Sequence, residues 1–243
     1  MSNNGPRDEV FTTVLVNEAG EVADWDAHQQ RLEDHANRLR IILPDEPPSL
    51  NPTLPNWNLA RISFNTNGTS WNVEHRKMGF RNEAIDAITH PAPRWNERTN
   101  GCKHGDWAPY NEAKKAADKA GCDAALLVHD HCIVDADRAT PMVLDEDGTV
   151  WMASDTEGGV SSITAKVLER HLPNLGFPVV KGKLNERTVA RCAEFILVGT
   201  GMGVCRVDSL DGEPLGQTTV LSQRCQELLH EHFTEKATWS RPG

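Results

Sequence analysis

Asn111-Glu-Ala-Lys-Lys-Ala-Ala-Asp-Lys-Ala-Gly-Cys-Asp-Ala-Ala-Leu-Leu-Val128 sets the fold class. Ala113, Ala116, Ala117 and Ala120 recur at helical spacing, and Lys114, Lys115 and Lys119 take the polar side. Gly121 stops that helix as a C-cap. Ala124 to Val128 is a short apolar run suited to a buried strand. The same alternation continues downstream. Thr149-Val-Trp-Met152 reads as a strand. Ser161 or Ser162 opens a helix whose face carries Ile163, Val167, Leu168 and Leu172. Phe195-Ile-Leu-Val198 is a strand running into Gly199-Thr-Gly-Met-Gly203. Val204 to Val207 and the Asp211-Gly212 turn continue a sheet, and Leu221 to Phe233 is an amphipathic helix. Alternating strands and helices predict a mixed or barrel-like α/β domain.

Upstream, Val10-Phe-Thr-Thr-Val-Leu-Val16 is a short β-rich run followed by a turn at Glu18 to Glu21. Asp24 or Asp26 is placed to cap a helix ending near Leu39, with Leu32, Ala36 and Leu39 on its buried face. Prolines at 44, 47, 48, 52 and 55 rule out a regular element there. Leu59 to Phe64 and Trp71 to His75 read as strands around Asn65-Thr-Asn-Gly68, and Ala84 to Thr89 as another. The expected division is a small α/β domain over residues 1–80 and a larger one over 81–243.

The 243 residues carry 35 Asp plus Glu against 25 Lys plus Arg, a formal charge of −10. An acidic chain lacks the cationic face that nucleic acid or an anionic membrane requires. No apolar run nears the ~18 residues of a spanning helix, and the start has no basic-then-apolar leader. A cytoplasmic protein is expected. Six cysteines form no C-x-x-C pair, so free, mostly packed thiols are expected.

Three features suit an anion. Ser161-Ser-Ile-Thr164 opens a helix, where free N–H groups and the dipole favour phosphate. Gly199-Thr200-Gly201 ends a strand, where glycine permits close backbone approach. The third is a helical arginine, Arg31 or Arg38. Among nine lysines, Lys103 stands apart. It sits in a loop with Cys102, His104, Trp107 and Tyr110, the best setting for a desolvated, reactive amine. His129-x-His131 and His230-x-His232 have no third ligand spaced to join them, so surface histidines are expected and no metal. There is no G-x-S-x-G elbow and no G-x-G-x-x-G spacing.

Together, over residues 9 to 216, these features resemble the class IV, or D-amino-acid-aminotransferase-like, pyridoxal-phosphate (PLP) enzymes. The aminodeoxychorismate lyase branch is the nearest. The resemblance is carried by Val10-Phe-Thr-Thr-Val, His28-Gln-Gln-Arg31-Leu, Lys103-His-Gly-Asp-Trp and Gly121-Cys-Asp-Ala-Ala-Leu-Leu. Gly159-Val-Ser-Ser-Ile-Thr164, Ala193-Glu194-Phe, Gly199-Thr-Gly-Met-Gly-Val204 and Leu210-Asp-Gly complete it. It implies a type IV PLP fold, with a small two-layer α/β domain and a larger pseudo-barrel. It implies Arg31, the N–H groups of Ile163 and Thr164, and Gly199, Thr200 and Gly201 around a phosphate. Lys103 takes the position of the Schiff-base lysine. A small-molecule amine substrate and a homodimer are implied too.

The departures bear on activity. The family's glutamate for the pyridine nitrogen falls at Ala136. Asp135 or Asp137 is the substitute, but on a regular strand both point away from Ala136, so a bulge is required. The family's S-N becomes Thr140-Pro141. The transaminase branch's tyrosine and glutamate fall at Phe11 and Thr12, and the single tyrosine is Tyr110. The resemblance thus implies a lyase converting 4-amino-4-deoxychorismate to 4-aminobenzoate, a folate precursor, and pyruvate. An aminotransferase for a branched-chain or D-amino acid is the alternative. A degenerate ligand-binding or structural homologue, motivated by Ala136 and Pro141, is the third reading.

Overall fold

The structure, a computed structural model, describes residues 5–50 and 57–243. The two prolines at 52 and 55 lie outside the described residues. The chain forms two compact units. One comprises residues 1–79, 95–107 and 231–243, the other residues 80–94 and 108–230. Two segments beyond residue 80 are thus grouped with the first unit. Residues 95–107 return to the first unit because Val10 forms a β-bridge with His104. Residues 231–243 return because the C-terminal strand Trp239–Ser240 pairs with Val22–Ala23. Pairing between segments distant in sequence leaves no local periodicity to read.

In the first unit, strands β1 (Glu9–Val16), β2 (Val22–Ala23), β3 (Asn58–Asn65) and β4 (Asn72–Lys77) form an antiparallel sheet. With Trp239–Ser240 on one edge it has five strands. Helix α1 (Trp25–Leu39) buries Trp25, Leu32, Ala36 and Leu39 in a core with Val10, Val14, Ala60 and Ile62. Asp24 holds the N-cap position but does not cap through its side chain. It sits at φ 54°, and its carboxylate instead pairs with His232 Nε2 at 2.9 Å. His232 is thereby half-buried and partnered, not the surface residue expected.

The second unit holds helix α2 (Ala108–Ala120), which begins three residues before Asn111 because Pro109 suits a first turn. Its sheet contains β5 (Ala84–Pro91), β6 (Ala124–His129), β7 (Cys132–Ala136), β8 (Thr140–Asp145) and β9 (Val150–Ala153). Helix α3 (Ile163–His171) follows, then β10 (Val179–Gly182), β11 (Leu184–Asn185) and the short α4 (Glu186–Ala190). Strands β12 (Cys192–Gly199), β13 (Gly203–Leu210) and β14 (Glu213–Pro214) precede α5 (Val220–Thr234). The strand order is β10-β9-β8-β12-β13-β5-β6-β7-β11, with β14 on β13. Strand β11 comes back beside β9, so the sheet curls into a nearly closed barrel. Its interior holds Leu126, Val143, Phe195, Leu197 and Val207. Strand β8 was not expected from the sequence, and β7 was expected only as a strand through Ala136 implied by the family resemblance. Asp130 and His131, at φ 47° and 60°, supply the two left-handed residues of a tight hairpin between β6 and β7.

One buried carboxylate secures α5. Glu194 is fully buried, and its oxygens accept the N–H groups of Leu221 (2.7 Å) and Ser222 (2.9 Å). These are first-turn donors that no helical carbonyl can satisfy. Glu194→Ala strips both donors of their acceptor. It is expected to cost about 3 kcal/mol, read as a lower urea midpoint, with Glu194→Gln recovering part of the loss.

Candidate active site

In the first unit, His28, Arg31 and His35 share one face of α1, since their spacings of three and four place them one above another. Arg31 Nη2 donates to Thr12 Oγ1 at 2.7 Å, and Thr12 Oγ1 also meets His28 Nδ1 at 2.7 Å. Burial pulls the Arg31 guanidinium down to about 10, so it stays charged at neutral pH. Arg38, the other helical candidate, is exposed and ties down a loop through the carbonyls of Glu97, Arg98 and Asn100.

Lys103 lies on the segment that returns to this sheet. Its N–H donates to His35 Nδ1 at 3.2 Å, and its carbonyl accepts the Phe11 N–H at 3.3 Å. The ammonium lies 5.1 Å from the centre of the Phe11 ring and 4.9 Å from that of Trp107. Those rings meet edge to face at 5.0 Å. His104 is fully buried against Trp95, with ring centres 4.4 Å apart, and neither of its ring nitrogens has a hydrogen-bond partner.

The three buried histidines of this unit are all held neutral. Burial, then the charges of Arg31 and Lys103, keeps His28 well below the usual imidazole range. Burial, helped by Arg31, Arg38, Lys103 and His104, brings His35 down to about 3. Burial brings His104 down to about 4, against a small opposing pull from Asp106. Arg31 and Lys103 thus lie among imidazoles that carry no charge, and the Arg61 guanidinium stacks 3.5 Å from the centre of the Phe11 ring.

In the second unit, Ser162 caps α3 by accepting the Ala165 N–H at 3.2 Å. The N–H groups of Ile163 and Thr164, at the same end, are not used by the helix. Thr164 Oγ1 lies 3.2 Å from Thr200 Oγ1, so the helix start and the β12–β13 turn meet. Gly199 ends β12, and Thr200 and Gly201 lie on that turn. A Cβ on Gly199 would sit 3.1 Å from the Arg138 carbonyl oxygen, so the turn rests directly on backbone.

Strand β7 carries a bulge, but it precedes Asp135, and Asp135 and Ala136 pair in unbroken register with Leu127 and Leu126, so the two side chains still point to opposite faces. Leu127 pairs with Asp135 but Val128 pairs with Ile133, which leaves Val134 as the extra residue of β7. Gly159 is pressed onto it, and a Cβ there would come within 2.2 Å of the Val134 carbonyl oxygen. Beyond the bulge the two aspartates diverge. Asp135 Oδ2 accepts the Tyr110 hydroxyl at 3.0 Å and the Val160 N–H at 3.0 Å, and Oδ1 accepts the Ala136 N–H. Asp137 accepts the Ala125 N–H at 3.3 Å and has Arg138 Nε at 3.4 Å. Burial raises the Tyr110 phenol well above its usual range, with the Asp135 charge adding to it, so Tyr110 is a donor at every working pH. Asp135 is therefore held by named donors on α2 and on the chain before α3, and Asp137 is not.

The family model of amino-transferase class IV matches residues 9–210. The chain belongs to the class IV amino-transferase family. Among solved structures it is similar to a branched-chain aminotransferase of Thermoproteus uzoniensis bound to norvaline. That similarity has a TM-score of 0.82 at 14% identity, over 96% of this chain and 90% of that one. A Legionella pneumophila protein provisionally named 4-amino-4-deoxychorismate lyase gives a TM-score of 0.79 at 16% identity, over 96% of each chain. The PLP-bound form of a hypothetical aminotransferase of Mycobacterium tuberculosis gives 0.78 at 18%, over 93% and 89%. No curated protein matches the sequence. The architecture is thus that of class IV enzymes, as the motif order implied. Among the described residues no cluster of metal-ligating side chains occurs, and no helix is long and apolar enough to cross a membrane.

Sequence reasoning missed the partners of the named residues: Thr12 and His28 at Arg31, His35 at Lys103, Tyr110 and Val160 at Asp135. A signal for the first group existed, because histidines three before and four after Arg31 fall on its own helix face. The pairing of Tyr110 with Asp135 spans 25 residues and had none.

The neutral histidines fix a pH response. Their folded values lie below the unfolded 6.5, so their contribution to stability is complete above pH 6.5. It is lost as pH falls toward the folded values of about 4 for His104 and about 3 for His35. At pH 5, His104 alone should account for about 2 kcal/mol of that loss. Urea titrations at pH 7.5 and pH 5 are expected to show a smaller drop for His104→Phe than for wild type.

Proposed function

We propose that this chain binds PLP and acts as a lyase on 4-amino-4-deoxychorismate, releasing 4-aminobenzoate and pyruvate. One observation carries the reading. The amine-bearing Lys103 is clamped by both of its flanking peptide groups and its amine stands about 5 Å from the centres of two touching aromatic rings.

The donor set suits the cofactor. A phosphate monoester suits a buried guanidinium, which the first unit offers in Arg31, and helix-start N–H and hydroxyl groups, which the second unit offers in Ile163, Thr164 and Thr200. An aldehyde needs an amine, supplied by Lys103. A pyridine nitrogen needs a fixed carboxylate, supplied by Asp135. Asp135 is preferred to Asp137 because Tyr110 and Val160 orient it, whereas no hydrogen bond fixes Asp137 Oδ2.

Bound PLP supplies an electron sink for the bond broken at the amine-bearing carbon. The chain's own residues do the rest. Arg31 anchors the phosphate and keeps the ring in one register. Asp135 holds the proton at the ring nitrogen. The Lys103 amine takes a proton from the amine-bearing carbon and returns one to the departing three-carbon group, which leaves as pyruvate. No water is consumed in the net reaction. Thr12 supports the lyase reading over a transaminase. Its hydroxyl is committed to Arg31 and His28, where the transaminase branch is expected to have a carboxylate.

The full chain mixed with PLP and reduced with borohydride is expected to carry the label on Lys103. Lys103→Ala should lose that label while keeping its circular dichroism. A colourless protein that takes no label would refute the proposal. Arg31→Gln should weaken PLP binding about 30-fold, measured by equilibrium dialysis, without moving the label. Pyruvate release from 4-amino-4-deoxychorismate identifies the lyase. Keto-acid formation from a branched-chain or D-amino acid with 2-oxoglutarate would give the activity to an aminotransferase.

A further inference from the structure

We propose that His35 is a positioning residue for the Lys103 amine, acting through its hydrogen bond to the Lys103 peptide N–H. The inference rests on Lys103 being the amine that captures PLP.

His35 is 4% exposed and lies on α1 one turn beyond Arg31. Its Nδ1 is 3.2 Å from the Lys103 nitrogen, 68 residues away in sequence. A peptide N–H can only donate, so Nδ1 is the acceptor and the imidazole proton sits on Nε2. On the other side of the Lys103 Cα, the carbonyl accepts from Phe11 on β1. The helix and the sheet thus each hold one peptide group of the same residue. The other backbone bonds of this segment are local: Thr99 and Asn100 N–H to Asn96 O, both 2.9 Å, and Cys102 N–H to Thr99 O at 3.0 Å. Local bonds shape the segment but do not fix its place on the unit.

A lysine side chain has four rotatable bonds, so the place of its amine depends on a fixed Cα. Without the His35 acceptor the Lys103 N–H is buried and unsatisfied, and the segment gains by turning it toward water. The groups that face the imidazole are Arg31 and Arg38 from its own helix and Lys103 and His104 from the returning segment. All are cations or bases, so nothing near it favours a second proton. A protonated ring would also set donor against donor at Nδ1. Neutrality therefore keeps the clamp closed through the working pH range.

The test compares wild type with His35→Leu, His35→Met and His35→Asn in the full chain. Asparagine places its side-chain oxygen where Nδ1 stands, and leucine and methionine offer no acceptor. In the first measurement, without PLP, hydrogen exchange at the Lys103 amide is read by mass spectrometry. Exchange is expected to quicken about tenfold or more in His35→Leu and His35→Met and to stay within about threefold of wild type in His35→Asn. In the second, PLP is added from about pH 6 to pH 9, borohydride traps the adduct, and the labelled residue is mapped. The trapping rate at Lys103 is expected to fall about tenfold in the leucine and methionine variants across that range, with asparagine restoring most of it. Whichever of those two variants keeps its circular dichroism serves for the comparison. Wild-type exchange and trapping in a folded variant without the acceptor would overturn the positioning role alone. Label on a residue other than Lys103 in wild type would overturn both this role and the assignment of Lys103.

Discussion

The peptide of Lys103 is held on both sides, by His35 Nδ1 from α1 and by the Phe11 N–H from β1. That double hold governs much of what the first unit does. It brings residues 95–107 onto a sheet built from the chain's beginning, and it sets the amine 4.9 Å from Trp107 and 5.1 Å from Phe11. It also requires a neutral imidazole. The same burial that neutralises His35 also neutralises His28 and His104, so the positive charge here comes from Arg31, Lys103 and Arg61 and not from the imidazoles. An acidic chain of net charge −10 can therefore offer an anion a locally cationic surface. The net charge governs extended polyanions, which meet the whole field.

The second unit depends on one irregularity. The extra residue in β7, Val134, changes which way the following side chains face. Gly159 seals the bulge because any larger residue would collide with the Val134 carbonyl oxygen. This contact brings the Val160 N–H to Asp135 and leads directly into the Ser162 cap of α3. One backbone contact thus links the carboxylate with the anion-suited helix start.

Much of the fold was legible. The helices at Trp25–Leu39, Ala108–Ala120 and Val220–Thr234 followed from apolar spacing. The first strand and the one at Cys192–Gly199 followed from β-rich runs. Ser162 and Gly121 marked element ends through their side-chain chemistry and backbone freedom. Errors fell where a distant segment intervened. Asp24 had the residue type of a cap, but His232 drew its carboxylate away. Thr140–Asp145 escaped notice, and Cys132–Ala136 was expected only through the family resemblance, because both strands are buried along nearly their whole length and so show no alternation.

The sequence by itself determined the family and the order of its motifs. Residue type and local spacing are enough for those, because a cap, a turn or a helix face is formed by near neighbours. The tertiary structure alone decided the division into units, the partners of each charged group and the divergence of Asp135 from Asp137. Each of those rests on hydrogen bonds across tens of residues, such as His35 to Lys103 and Tyr110 to Asp135. A hydrogen bond of that kind leaves no period in the chain, because its partners are chosen by packing and not by spacing.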